Sequence, residues 1–418
     1  MPNRWLFDAM TIKNLSFNAQ LLVAAGMVLL LWLSNHHFSF TSPYTHAAAG
    51  DTEGYFWIAT DAAELDSKKV PQHRAQRFAV PATIGVIARG LGIREETGFY
   101  LTVWAISLAA IYRWQRLLQW CGYSGTTAIL LTGLFIFNPY TFRLGFAFPG
   151  LVIDLVFVWS LIHVLYSLFK GEAVFLIFWT LIMALARQTA IVCMPAIVLG
   201  VFLLPSWNKP QKMRILYALS LVAVTGIVFQ FTRSIAAPFS IPTSSWHYLK
   251  EGIEWYLLRF EWDAFAIFFL RFAITFWIPL VLLLGCLVFG TKVSRSRSAK
   301  IQEGLLWLLI AGICAQPILF SPEITAGGIQ RLCVFSLPAA LLVLAPRLER
   351  APYSQTGSVL RTGGILLMLW ASSLHHLYSF WGPQIDAAAY FVGLHILSSF
   401  VILVLVFFPS DREPFLGS

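Results

Sequence analysis

The chain has 418 residues, of which 58% are hydrophobic and only 12% are charged, and its formal net charge at pH 7 is +9. A water-soluble globule of this size needs more polar side chains to cover its surface, so the composition excludes that class. The basic residues are spread among short polar stretches, which argues against a nucleic-acid-binding domain and favours the charge asymmetry of a membrane protein.

Apolar runs alternate with short polar stretches along the chain, and helices are the open-chain structure that satisfies every backbone polar group in a bilayer. The sequence predicts one all-α polytopic membrane domain over residues 1–418, with about twelve transmembrane helices (range about 10–13). A further apolar run near 81–91 is too short to span. The predicted spans lie near 15–34, 98–112, 126–137, 150–169, 173–186, 190–204, 216–231, 265–290, 305–320, 332–345, 363–380 and 387–408.

The positive-inside rule gives the predicted orientation. Arg4 and Lys13 precede the first span, which resembles a retained signal anchor, and the basic stretch 292–300 follows the predicted span 265–290. Both termini are therefore expected in the cytoplasm. The extracytoplasmic loops are then about 35–97, 138–149, 232–262 and 321–331, and the first is the longest.

Two carboxylates, Asp51 and Glu53, stand one residue apart in that first loop. A carboxylate suits the role of general base toward a sugar hydroxyl, or of ligand to a divalent cation such as Mg²⁺ or Mn²⁺. The other interpretation is structural, because Asp51 could cap a helix and Glu53 could lie in its first turn, where the helix dipole favours an acid.

The predicted outer face also collects four arginines and a third acid from loops far apart in sequence. Charged groups at the mouths of apolar helices are costly unless they pair or meet a polar ligand, so one shared polar cavity is expected. Arginine suits phosphate because its planar fork donates two hydrogen bonds; alternatively, these arginines could anchor helices at the lipid headgroups. The four arginines are Arg77, Arg143, Arg187 and Arg331, and the acid is Glu323.

Two other features have mainly structural interpretations. Asp154 lies a few residues inside an apolar span, and we expect it to be a buried partner, for which Arg143 is the candidate, or else a wall of the site. The five cysteines form no CxxC motif or paired spacing, and they are interpreted as small buried hydrophobic residues.

Several of these motifs together resemble the GT-C superfamily of glycosyltransferases that use polyprenyl-phosphate sugars, and more narrowly bacterial proteins of cell-surface glycopolymer formation. The resemblance covers about the first half of the chain, and the Gln330-Arg331 segment adds to it. Gln188 stands where these enzymes often carry an acid. The motifs are Asp51-x-Glu53, Asp51-x-x-x-Tyr55-x-x-Ile58-Ala59, Arg77-Phe-x-x-Pro81, Asn138-Pro-Tyr-Thr-Phe-Arg143 and Ala184-Leu-Ala-Arg187-Gln188-Thr189.

The resemblance implies an enzyme of the bacterial inner membrane whose site faces the periplasm or the cell exterior. It would transfer a hexose or pentose from a polyprenyl-phosphate donor to a glycan, lipid or polymer acceptor, with Asp51 as base and Glu53 beside it or holding a cation. Two alternatives remain open: a polysaccharide polymerase or ligase using a diphosphate-linked donor, and a flippase or transporter of lipid-linked sugars. The residues expected to bind substrate are Tyr55, Arg77, Arg143, Arg187, Gln188, Glu323, Gln330 and Arg331.

Overall fold

A computed structural model describes residues 15–35, 47–60, 70, 72–236, 245–289, 296–321, 328–356, 358–374, 378–379, 382–383 and 388–408. Within them the fold is helical apart from one antiparallel pair of two-residue strands, β1 (Tyr378–Ser379) and β2 (Gly382–Pro383). The helices are α1 (Phe17–Leu33), α2 (Ala47–Thr60), α3 (Gln72–Ala75), α4 (Ala79–Gly90), α5 (Glu95–Trp120), α6 (Gly125–Ile136), α7 (Phe142–Ala147), α8 (Val152–Lys170), α9 (Ala173–Ala186), α10 (Ala190–Leu203), α11 (Gln211–Ala236), α12 (Ser245–Leu258), α13 (Trp262–Thr275), α14 (Trp277–Phe289), α15 (Arg297–Leu319), α16 (Ile329–Cys333), α17 (Leu337–Leu348), α18 (Pro352–Thr356), α19 (Val359–Ser373) and α20 (Ala388–Phe407).

Several of these helices could cross a membrane, which confirms the coarse prediction of an all-helical membrane protein. Four are long and apolar enough, namely Pro149–Lys170, Gln211–Ala236, Arg297–Leu319 and Ile329–Leu348. The pair α13 and α14, bent by 74°, makes a fifth if it is one broken span. The number twelve and the orientation stay predictions.

The outer surface of the bundle also fits a lipid environment. Large apolar side chains project from several helices, including Leu360 at 88% exposure, Leu258 at 79% and Val174 at 78%. Water-soluble proteins rarely expose apolar surface on this scale. In a bilayer these side chains would contact hydrocarbon instead of water, so their exposure would have no hydration cost. The hydrophobic effect therefore explains both the apolar exterior and the apolar core.

Local sequence explains where several helices begin. Serine stands at the N-cap of α1, α6, α15 and α19, and in each case its side chain accepts a backbone N–H of the first turn. This satisfies a donor that has no partner inside the helix. Ser124, which caps α6, is itself bound by Glu349, whose carboxylate accepts the Ser124 hydroxyl at 3.0 Å.

The central helix is α8, which is buried along most of its length between α5 and α9. At its C-terminal end Gly171 adopts φ +75°, a conformation that favours glycine. At its N-terminal end Gly150 lies so close to α2 that a Cβ atom there would come within 2.7 Å of Thr52 Cα. Gly150 thus allows α2 to pack against the start of α8, where the candidate site is found.

The segment 35–97, which the sequence predicts to be the first extracytoplasmic loop, contains more regular structure than expected. Helices α2, α3 and α4 lie within 35–97, and α5 begins at Glu95, so it is longer than the predicted span at 98–112. The apolar run near 81–91 is the helix α4, which packs closely on α2 because Gly85 admits the Ala59 carbonyl. None of the helices α2, α3 and α4 contains an apolar run long enough to span a bilayer, and α2 and α4 are stabilised by packing on each other.

Candidate functional site

A buried carboxylate, that of Asp154, binds two arginines at the start of α8. Its Oδ1 accepts from Arg187 Nη1, and its Oδ2 accepts from Arg331 Nε. The three side chains are 11%, 3% and 13% exposed respectively, so the ion pairs are largely shielded from water. Asp154 also lies in the first turn of α8, where the helix dipole stabilises an acid.

Arg187 reaches Asp154 from the break between α9 and α10. It ends α9 in an extended conformation, with φ −154° and ψ 142°, which turns its side chain away from the helix axis. Its guanidinium carbon lies 4.7 Å from the centre of the Phe335 ring, a cation–π contact. The Nε atom of Arg187 is buried without a hydrogen-bond partner among the described residues. A buried donor of this kind is costly, so it favours a ligand that would accept its hydrogen bond.

A third arginine, Arg77, joins the group from the segment between α3 and α4. Its Nη1 donates to the Tyr55 hydroxyl at 2.8 Å, and its Nε donates to Gln188 Oε1 at 3.2 Å. Gln188 in turn donates through Nε2 to Gln76 Oε1 at 2.9 Å. Arg77 is also near enough to interact electrostatically with Asp154 and Arg187. Arg77, Arg187, Arg331 and Asp154 are called the arginine cluster below.

The arginine cluster gathers three guanidinium groups around the carboxylate of Asp154. Guanidinium groups stay protonated in proteins, and Asp154 pairs with arginines through both oxygens. Arg77 adds a third guanidinium group beside these two ion pairs. Like charges brought together at low exposure repel one another, and an anion bound between them would relieve that repulsion. The arrangement is therefore suited to a phosphate group.

The predicted base, Asp51, belongs to a helix that contacts the cluster through Tyr55. Position 51 is in α2, one helical turn before Tyr55 and on the same face, because residues four apart on a helix are neighbours. The side chain of Asp51 lies outside the described residues. Tyr55 itself is fully buried and binds Arg77, so this face of α2 adjoins the cluster.

Glu53 lies on a different face of α2. Residues two apart on a helix do not face each other, so α2 does not direct positions 51 and 53 to one ion. The Glu53 carboxylate makes no hydrogen bond or ion pair with any described residue, although it is only half-buried. In the part of the chain that is described, no three His, Cys, Asp or Glu side chains come together as metal ligands.

Arg143 does not bind Asp154, and the expected pairing of these two residues is wrong. Its guanidinium is fully buried and donates to the Ser373 carbonyl at 2.9 Å and to the Ser34 carbonyl at 3.1 Å. Ser34 and Ser373 stand at the ends of α1 and α19, where helix carbonyls lack partners and the dipole favours a cation. Arg143 therefore holds two helix C-termini together.

Two other expected binding residues are placed as follows. Gln330 is half-buried beside Arg331 in α16, and it makes no hydrogen bond to another described side chain. Glu323 lies outside the described residues. No motif in the sequence singles out Gln76 or Phe335, although Phe335 follows Arg331 by four residues, a spacing that places both on one face of a helical segment.

An apolar cavity adjoins the cluster at Gln188. It has a volume of about 310 Å³ and lies among α10, α11, α12 and α15. Helices α10 and α15 approach closely beside this cavity, because a Cβ on Gly312 would come within 2.5 Å of the Val192 carbonyl. Apart from Gln188 and Gln316 the lining is apolar or glycine: Ile191, Val192, Phe229, Leu249, Gly312, Ala315, Leu319 and Phe320.

The described geometry thus unites a cationic cluster, a neighbouring apolar cavity and the helix that carries position 51. Comparison with known proteins returns no match: no family model, no curated protein and no solved structure matches the chain.

Proposed function

We propose that the protein is an integral-membrane glycosyltransferase that moves a sugar from a polyprenyl-phosphate donor to an extracytoplasmic acceptor. The observation that carries this proposal is the meeting of Arg77, Arg187 and Arg331 around Asp154. These arginines would bind the phosphate of the donor and stabilise it as the leaving group. The acceptor would be a glycan, a lipid or a polymer.

The cavity beside Gln188 supports a lipid-linked substrate. A polyprenyl chain is a branched hydrocarbon, and the lining of the cavity is mainly apolar. Gln188 is shared between the two features, because its side chain binds Arg77 and also lines the cavity. A donor could therefore place its phosphate at the arginines and the first part of its chain among α10, α11 and α15.

The proposed mechanism assigns the proton transfer to Asp51. As general base, Asp51 would take the proton of the acceptor hydroxyl while the sugar leaves the phosphate with inversion. Its position one turn before Tyr55 supports this role, since Tyr55 binds Arg77. Glu53 is the second candidate. A Mg²⁺ or Mn²⁺ ion would serve to hold the acceptor or the phosphate, and Asp51 is its candidate ligand.

The proposed setting is the bacterial inner membrane, with about twelve spans, cytoplasmic termini and the site at the periplasmic face. On this topology Asp154 stands near the outer end of its span. Lys170, at the other end of α8, is about 24 Å away along the helix axis.

One alternative donor is supported by the same cluster. Three arginines could also bridge the two phosphates of a diphosphate-linked oligosaccharide, as a polysaccharide polymerase or ligase requires. A flippase is less well supported, because the charged groups collect at one end of α8 and not along a path through the bilayer.

The test uses the full-length protein in liposomes with undecaprenyl-phosphate-linked hexoses and pentoses, and a diphosphate-linked sugar as a parallel donor. We expect release of undecaprenyl phosphate from one of the monophosphate donors. Asp51→Asn should lower turnover by about 10²- to 10⁴-fold while donor binding is retained, and Glu53→Gln serves as the matched acid variant. Wild-type turnover in a folded Asp51→Asn protein would show that Asp51 is not the base. Use of the diphosphate donor alone would favour the polymerase or ligase interpretation.

A further inference from the structure

A second group of polar side chains lies toward the end of α8 opposite Asp154, where α8 packs against α5. Trp159, His163, Tyr166 and Lys170 follow one another at spacings of four, three and four residues, so they form one stripe along α8. Tyr166 is about 18 Å from Asp154 along the helix axis. The stripe is therefore separate from the arginine cluster.

Arg113 of α5 lies against this stripe without a polar partner. Its guanidinium carbon is 3.6 Å from the centre of the Tyr166 ring, a cation–π contact. Arg113 makes no hydrogen bond or ion pair with any described residue, and its Nε is buried. A guanidinium group carries five N–H donors, and buried donors without acceptors are costly. These donors favour a ligand that accepts their hydrogen bonds.

The neighbouring charges identify two cations that are available to such a ligand. Lys170 is not one of them, because it binds Glu172 at 3.0 Å. Glu172 also interacts electrostatically with Arg113, but its ion pair is with Lys170. Arg116, three residues from Arg113 on α5, donates to the neutral side chain of Gln119 and pairs with no described carboxylate. Arg113 and Arg116 are therefore the cations that an anion could bind.

Two nitrogen atoms of the stripe also lack partners. His163 Nδ1 and Trp159 Nε1 are buried without a hydrogen-bond partner among the described residues. The centres of these two rings are 5.4 Å apart, and Trp179 of α9 stacks on His163 at 3.7 Å. Arg113 is near enough to His163 to interact electrostatically with it. His163 is about 4.5 Å nearer than Tyr166 to the middle of α8 along the helix axis. Polar atoms without partners thus occur at two depths.

The surroundings of these atoms favour a lipid over a soluble anion. Leu108 and Tyr112 of α5, and Phe175 and Phe178 of α9, are exposed on the outside of the bundle. In a membrane protein such side chains contact lipid, and a soluble phosphate would have to leave water to reach them. A phospholipid already places its phosphate beside its own hydrocarbon chains.

We propose that this surface of α5 and α8 binds an anionic glycerophospholipid of the surrounding membrane. Its phosphodiester would accept hydrogen bonds from Arg113 and Arg116. Its ester carbonyls lie deeper in the bilayer than the phosphate, and they would accept from His163 and Trp159. Its acyl chains would lie along exposed apolar side chains such as Phe178. This proposal does not depend on the transferase function.

The experiment measures binding of dioctanoyl phosphatidylglycerol and dioctanoyl phosphatidylcholine to the full-length protein in a nonionic detergent by calorimetric titration. Both lipids carry the phosphodiester, but the choline cation of the second would face Arg116 and Lys170. We therefore expect the anionic lipid to bind at least about tenfold more tightly. Inorganic phosphate at the same concentration should not displace it.

Variants test the two depths separately. Arg113→Gln should lower the affinity for the anionic lipid by about tenfold in protein that elutes as a single folded species. His163→Phe keeps a ring against Trp179 but removes the nitrogens. It should lower the affinity for the ester lipid by about threefold and leave that for the diether analogue, which lacks the carbonyls, unchanged. Arg94→Gln is the matched control, because Arg94 is exposed at the other end of α5 and should not affect binding.

Equal binding of the two lipids by the wild-type protein would overturn this inference, and that comparison needs no variant. Displacement of the anionic lipid by an equal concentration of inorganic phosphate would also overturn it, since the site would then be one for a free anion. A preference that persists unchanged in Arg113→Gln would show that it arises elsewhere. Equal losses for the ester and diether lipids in His163→Phe would refute the placement of the carbonyls. None of these results bears on the proposed function, because Arg113 lies outside the arginine cluster.

Discussion

Replacing Asp154 with Asn should destabilise the protein, because it leaves the arginines of the cluster without their carboxylate. Arg187 is 3% exposed and Arg331 is 13% exposed, so neither charge can be well solvated after the change. Breaking a buried ion pair by removing one partner costs about 3–5 kcal/mol. Scaled by the entropy of unfolding for a chain of 418 residues, this corresponds to a fall of about 3 to 6 °C in the melting temperature.

The assay is thermal unfolding of the purified protein in detergent, followed by tryptophan fluorescence. The double variant Asp154→Asn with Arg187→Gln should recover part of the loss, because it also removes the buried Arg187 cation that has lost its carboxylate. Inorganic phosphate should stabilise Asp154→Asn more than wild type, since an anion replaces the lost charge. Asp263→Asn is the matched control: Asp263 is also in the first turn of a helix but is exposed.

An unchanged melting temperature in Asp154→Asn would refute the reasoning, because the ion pairs of Asp154 would then make no net contribution to the free energy of unfolding. Equal loss in Asp154→Asn and Asp263→Asn would show that the helix dipole, not the arginines, accounts for the effect. Additive losses in the double variant would mean that Asp154 and Arg187 act independently.

Three further predictions concern packing around the site. Gly150→Ala should lower transfer activity, because the new Cβ would lie 2.7 Å from Thr52 Cα and displace α2. The control is Gly226→Ala, whose new Cβ meets no atom within 4 Å and which should leave activity unchanged in the same assay. Ala315→Trp should fill the cavity and weaken binding of a long-chain lipid phosphate by about tenfold, with little effect on inorganic phosphate, as measured by competition. Arg143→Gln should lower unfolding free energy by more than about 2 kcal/mol, because it loses charged hydrogen bonds, while the folded protein keeps wild-type phosphate affinity.

The fold class could be predicted because the bilayer constrains composition and segment length. Each long apolar run has one structural solution, and the helices Pro149–Lys170 and Gln211–Ala236 were visible in the sequence for that reason. Helix α2 was not, and α4 was visible only as an apolar run too short to span, because these two helices depend on close contacts like that of Gly85 with the Ala59 carbonyl. Contacts of this kind join distant parts of the chain and have no local pattern.

The members of the site were easier to predict than their partners. Charged residues at the ends of apolar runs are few, so Arg77, Arg187 and Arg331 stood out. Which of these charged residues pair with each other could not be predicted, because pairing depends on the order of helices around the bundle. Asp154 was matched with Arg143, which is nearer in sequence, but helix packing carries Arg143 to the ends of α1 and α19.

The sequence separation of the ion pairs has a consequence for biosynthesis. Asp154 and Arg187 are 33 residues apart on adjacent helices, so their bond can form within one inserted hairpin. Arg331 is 177 residues from Asp154 and leaves the ribosome roughly 10–35 s later at ordinary elongation rates. A nascent chain stalled before that point would carry a half-paired carboxylate, because one oxygen of Asp154 would lack the arginine that it binds in the complete protein.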